Sequence, residues 1–206
     1  MRLKAAALIS GRGSNLQALL ESCSDPAFPA EIALVISNVA DAHGLERARA
    51  AGVESRIVNH KDYPSREAFD AEMDRLLRCA GIEVICLAGF MRVLSVGFVE
   101  SWQGRMINIH PSLLPSFKGM RPHAQALAAG VKLHGCTVHY VTPALDDGPI
   151  IAQGAVPVLA GDTEESLAAR VLEVEHKLYP LALKTIAEGK AGHPDPSATL
   201  LNPAEA

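Results

Sequence analysis

The chain has no CxxC pair, no long apolar run and no excess of positive charge, and each absence removes a class of function. Its four cysteines, Cys23, Cys79, Cys86 and Cys136, stand far apart. Disulfide frameworks and thiolate metal knuckles need paired spacings, so four buried free thiols in a reducing compartment are expected. The apolar run Ala5 to Ile9 is too short for a signal-peptide core or a membrane span, and Met1 leads straight into it. A cytoplasmic protein with no membrane partner is expected. The formal net charge of −4 gives no electrostatic attraction to nucleic acid. The GxSxG elbow of serine hydrolases is missing. His134 and His139 differ by five positions, so on one strand they face opposite ways and make poor metal partners. Covalent and metal mechanisms are both disfavoured.

What is present is an alternation of short apolar runs and helical patterns across 206 residues. Ala5 to Ile9, Ile32 to Ile36, Ser55 to Val58, Val84 to Ala88, Met106 to Ile109, Leu133 to Val141 and Ile150 to Val158 read as strands. Leu16, Leu19, Leu20 and Cys23 recur at helical spacing. Asp41 is a candidate cap for a helix closing at Gly52, and Ser65 caps one carrying Phe69, Met73, Leu76, Leu77 and Ala80 inward. A last helix opens at Asp162 with Glu165 as its capping-box partner and Pro180 as a kink. This order predicts an α/β fold: a Rossmann-like, open, mostly parallel twisted sheet with helices on both faces. One domain is expected over residues 1–190, with a flexible tail over 191–206.

In such sheets ligands bind beyond the carboxyl ends of the strands, which directs attention to residues 10–15, 89–94, 108–119 and 142–149. Ser10-Gly11-Arg12-Gly13-Ser14-Asn15 joins the first strand to the first helix. Leu16 replaces the third glycine of the dinucleotide fingerprint, and the Walker lysine is absent. What remains suits a single phosphate cradled by Gly13, Ser14 and Asn15, or a plain tight turn capped by Ser14. Further on, alternation puts Asn108 and His110 on one face of a strand that Pro111 terminates. An amide and an imidazole side by side can serve one developing oxyanion, although a lone strand-end histidine also has ordinary structural uses. A carboxylate from Leu145-Asp146-Asp147-Gly148-Pro149 against His110 favours the imidazolium. The same stretch also reads as a hydrophilic turn, and spacing alone does not bring Asp146 to His110.

Four segments in this order resemble the phosphoribosylglycinamide formyltransferase family of folate-dependent formyltransferases. They are Ser10 to Ala18, Leu87 to Leu94, Asn108 to Pro115 and Leu145 to Ile150, supported by Asn38 to Ala48, and the likeness runs from residue 1 to about Gly189. The resemblance implies transfer of the formyl group of 10-formyltetrahydrofolate, as co-substrate, to the amine of 5'-phosphoribosylglycinamide in purine biosynthesis, without a metal. It implies catalytic roles for Asn108, His110 and Asp146. Gly13, Ser14 and Asn15 match the segment that binds the substrate phosphate, and Glu175 a contact to the ribose hydroxyls. Arg66, Met91, Arg92, Val93 and Leu94 match folate-binding positions, with backbone hydrogen bonds to the pteridine. Asn108 and the loop from Thr142 to Asp146 complete that side. A monomer or homodimer acting on small molecules follows.

Two departures stand out. The family commonly has Gly-Leu-His-Thr-His where this chain has Gly119-Met120-Arg121-Pro122-His123, and its folate loop often carries acidic residues where Pro143-Ala144 stand here. Three other readings remain on sequence grounds: a formyltetrahydrofolate hydrolase, a methionyl-tRNA formyltransferase and a non-catalytic phospho-sugar sensor. The first usually has an added N-terminal domain and the second a C-terminal one, and neither is expected in a chain of this length.

Overall fold

In the computed structural model, which describes residues 1–190 and 200–201, the apolar runs become strands and the periodic segments helices. The chain divides into two compact units, Met1–Asn108 and Ile109–Ala206. In the first, β1 (Leu3–Ile9), β2 (Ala30–Ser37), β3 (Ser55–Ile57), β4 (Val84–Leu87) and the start of β5 (Met106–His110) are all parallel, in the order β3-β2-β1-β4-β5. The order reverses between β1 and β4, the switch point at which doubly wound sheets bind ligands. Ala5 to Ile9 and Ile85 to Leu87 are nearly or wholly buried, as a strand covered on both faces requires.

Three helices complete this unit's larger elements: α1 (Ser14–Ser24), α2 (Gly44–Ala50) and α3 (Arg66–Cys79). The expected cap of α3 is present, since the Ser65 hydroxyl accepts the Ala68 N–H. Phe69, Met73 and Leu77 are fully buried on its inner face, each contributing on the order of 1.5–3 kcal/mol. Asp41 is not the cap of α2. The helix starts after His43, and no side chain caps it, because the turn before it is longer than the spacing suggested. Cys79 is exposed at the end of α3, so only three of the four free thiols are buried. The fourth helix, α4 (Val96–Ser101), has no counterpart in the periodicity reading, because six residues are too few to display a 3.6-residue period.

The second unit holds the end of β5, α5 (Pro122–Ala129), the antiparallel pair β6 (Leu133–Tyr140) and β7 (Ile150–Pro157), α6 (Glu164–Ala187) and β8 (Leu200–Leu201). α5 is likewise too short to display a helical period, and Pro122 opens it at N1 after Arg121 in the left-handed region. The capping box of α6 is Thr163 with Ser166, one position later than Asp162 with Glu165. Asp162 instead pairs with Arg170 at 2.8 Å. α6 runs unbroken through Pro180. The tail from Gly192 lies outside the described residues except Leu200–Leu201, which pair in parallel with β7. The fold class is the expected open, mostly parallel α/β sheet, with β6 and β7 paired antiparallel. Among the described residues no helix is long and apolar enough to cross a membrane.

Candidate functional site

β1 ends at Ile9, and the chain turns through Ser10 to Gly13 into α1. Gly13 has φ +68°, and a Cβ there would stand 2.7 Å from the Gly44 Cα, so only glycine lets the loop lie against the start of α2. Gly13 is also the N-cap, and no side chain caps α1. Ser14 is therefore not the capping residue that a plain turn would use. Ser14 and Asn15 stand in the first turn of α1, at the positive end of its helix dipole, a favourable setting for an anion. The loop is tethered by Gly44 N–H to Gly11 O (3.0 Å) and Arg47 Nε to Arg12 O (2.9 Å).

Across the switch point in the same unit, β4 ends at Leu87 and the chain bends at Gly89 into Met91-Arg92-Val93-Leu94. Met91 is 81% exposed and Val93 66% exposed, an uncommon state for two apolar side chains so close together. Arg92 lies between them with its guanidinium 5.1 Å from the Phe69 ring centroid, and its buried Nε has no hydrogen-bond partner. The Met91 N–H donates to the Ser10 hydroxyl at 2.8 Å, so this amide is committed within the protein. Arg66 is exposed at the first turn of α3.

β5 crosses the unit boundary. Asn108, the last residue of the first unit, pairs opposite Leu87 of β4, and His110 follows two positions later on the same strand. His110 and Asp146 belong to the second unit and meet there. His110 Nδ1 lies 3.4 Å from Asp146 Oδ2, with each side chain only 8% exposed. His110 Nε2 donates to the Phe117 carbonyl at 3.0 Å. Both ring nitrogens thus face oxygen atoms.

The second unit adds groups around Asp146 that no sequence signal identified. Gly119 N–H donates to Asp146 Oδ2 at 2.9 Å, and His139 Nε2 lies 3.9 Å from Oδ1. His139 Nδ1 donates to the Tyr140 carbonyl at 2.9 Å. Burial holds the His139 imidazole below its ordinary value. A break in β6–β7 register at Val138/His139 disturbs simple alternation along the strand. Asp146 itself has φ +48°, a left-handed turn conformation that Asp tolerates better than most residues. Neighbouring Asp147 pairs with Lys118.

Half-buried His123 meets buried His134 at 3.1 Å, with Phe117 edge-on to His134. Burial pushes the His134 imidazole down to about 4 and lowers His123 as well. Arg121, the departure from the family pattern, is turned to Glu164 at 2.8 Å. The Thr142 hydroxyl donates to Ala144 O at 3.2 Å within its own loop. Glu175 is 7% exposed and thus buried. It lies near enough to Cys136 to help raise that thiol, whose main perturbation is burial.

The predicted residues therefore fall in two groups. Gly13, Ser14, Asn15, Arg66, Met91 to Leu94 and Asn108 belong to the first unit, and His110, Thr142, Asp146 and Glu175 to the second. Within the second unit, His110 and Asp146 form a shielded imidazole–carboxylate pair.

A family model described as "Formyl transferase" matches residues 3–183. The chain is 56% identical over 190 residues to the trifunctional purine biosynthetic protein adenosine-3 of Drosophila pseudoobscura pseudoobscura, covering 91% of this chain and 14% of that protein. It is 48% identical over 183 residues to phosphoribosylglycinamide formyltransferase of Escherichia coli (strain K12), covering 89% of this chain and 86% of that enzyme. Glycinamide ribonucleotide transformylase 1 from Symbiobacterium toebii has a similar structure, with a TM-score of 0.91 and 47% identity over 98% of this chain and 95% of that one. The chain thus spans under a fifth of the length of the trifunctional relative.

Proposed function

The chain belongs to the formyl transferase family, and from that premise we propose that it transfers the formyl group of 10-formyltetrahydrofolate to the amine of 5'-phosphoribosylglycinamide, a step of purine biosynthesis. The observation that carries this reading is the shielded His110–Asp146 pair, two positions beyond Asn108 on β5. Both substrates are small molecules, the setting is the cytoplasm, and the protein works as a monomer or homodimer.

The residues present fit the folate. Exposed Met91 and Val93 offer apolar walls, Leu94 backs them, and Arg66 and the unpartnered Arg92 Nε supply positive charge for an acidic tail. Because the Met91 N–H is committed to Ser10, pteridine recognition falls to the other backbone groups of Arg92, Val93 and Leu94 and to the Thr142–Asp146 loop. Gly13, Ser14 and Asn15 hold the phosphate, and Glu175 accepts from the ribose hydroxyls.

As the amine adds to the formyl carbon, negative charge collects on the formyl oxygen. Asn108 and His110 donate to it, each contributing on the order of 3–4 kcal/mol of transition-state stabilisation. His110 Nε2 already serves a carbonyl oxygen, that of Phe117, and the formyl oxygen takes over this donor. Asp146 orients His110 through its Nδ1. The proton lost by the amine passes to the departing folate nitrogen through a water at Asp146. Holding both substrates together supplies the proximity contribution.

The test is to incubate the protein with 10-formyltetrahydrofolate, with and without phosphoribosylglycinamide. Formylated ribonucleotide that appears only with the amine supports the transferase. Loss of the formyl group without the amine supports a hydrolase, and no turnover in either case supports a phospho-sugar sensor.

A further inference from the structure

Ser10 sits at the end of β1, immediately before the glycine loop, and makes three hydrogen bonds within the first unit. Its N–H donates to Gly89 O at 3.1 Å. Its hydroxyl donates to Asn38 Oδ1 at 2.6 Å and accepts the Met91 N–H at 2.8 Å. Committing the hydroxyl proton to Asn38 leaves an oxygen lone pair directed at Met91. Asn38 is itself buried, and its amide lies 3.4 Å from His60 Nδ1. One serine therefore grips both sides of the bend from Gly89 (φ +79°) to Met91, where the chain has left β4 and belongs to no regular element.

We propose that Ser10 is a positioning residue for formyl-folate: its hydroxyl clamps the Gly89–Met91 bend and so holds the Met91–Leu94 edge in the shape that receives the pteridine. This rests on the function proposed above. The hydroxyl serves the folate edge more than the phosphate cradle, because the cradle has tethers of its own. Gly44 N–H to Gly11 O, Arg47 Nε to Arg12 O and Gln17 N–H to Gly13 O hold the glycine loop without Ser10 Oγ. Removing the hydroxyl frees the Met91 amide and leaves those three bonds in place.

The experiment compares Ser10→Ala and Ser10→Thr with the unmodified protein, measuring the Kd for 10-formyltetrahydrofolate by fluorescence titration, KM for both substrates, kcat and Tm. Loss of one partly buried hydrogen bond predicts a rise of about tenfold in folate Kd and KM in Ser10→Ala. Ribonucleotide KM stays within about twofold, since the cradle keeps its tethers. Ser10→Thr, which keeps the hydroxyl, restores folate binding. An unchanged folate Kd in Ser10→Ala overturns the proposal, as does a parallel rise in both KM values with a lowered Tm. Should Ser10→Ala not fold, Ser10→Gly is read instead; it also removes the acceptor of the Met91 N–H and must raise folate Kd selectively, and an unmoved value overturns the proposal. Absence of formyl transfer by the unmodified protein counts against the function. Normal transfer with an unmoved folate Kd in Ser10→Ala counts against Ser10 alone.

Discussion

Asp146 Oδ2 lies 3.4 Å from His110 Nδ1 and accepts the Gly119 N–H at 2.9 Å, so one carboxylate oxygen serves both an imidazole and a backbone amide. With both side chains nearly shielded from water, the pair works at lower effective dielectric than a surface ion pair. Removing one partner of such a pair costs more than the pair contributes, because the other is left buried and unmatched. That asymmetry makes Asp146 a sensitive point for mutation.

Asn108→Ala should lower kcat by about 10²–10³ if its amide serves the developing oxyanion. Ribonucleotide KM should change little. Steady-state kinetics check this, and a kcat within a factor of about three of the unmodified value would remove Asn108 from the proposed chemistry.

Gly13→Ala combines a left-handed φ with a Cβ 2.7 Å from the Gly44 Cα. The strain of about 1–2 kcal/mol should displace the loop and raise ribonucleotide KM roughly 5–30-fold. Folate KM should move much less. Equal shifts in the two values would mean that the loop does not act as a separate phosphate cradle.

Much of this arrangement was legible in the sequence. Val84 to Leu87 and Ala5 to Ile9 are uninterrupted apolar runs, and buried parallel strands admit little else. Asn108 and His110 follow from alternation on a strand that Pro111 stops. The proximity of Asp146 to His110 does not, since it depends on where the β6–β7 connection folds and on a left-handed turn at Asp146 itself. The Phe117 carbonyl and Gly119 amide were invisible for a similar reason: backbone groups carry no side-chain signature. Helices α4 and α5 are too short for periodicity to register, and the register break at His139 hides its nearness to the carboxylate.

The buried His134 sets a pH limit. Its imidazole is held at about 4 against the ordinary 6.5, so the unfolded chain takes up the proton first as pH falls. Stability is therefore fully present above about 6.5 and declines as pH drops toward 4, by on the order of 3 kcal/mol. His123, lowered by burial, acts in the same direction. Urea unfolding at pH 7 and pH 5 measures the slope, which His134→Gln should make shallower. An identical slope in the variant would assign the acid sensitivity to other groups.

The most direct trial of the central chemistry is Asp146→Asn, followed by kcat and by the equilibrium Kd for 10-formyltetrahydrofolate. The amide keeps the size of the side chain and an oxygen for Gly119 N–H but no longer carries the charge that faces His110. The account predicts a fall in kcat of about 10²-fold or more, with folate Kd within about threefold of the unmodified protein. A kcat that barely changes, or one that falls only in proportion to weakened folate binding, would contradict it.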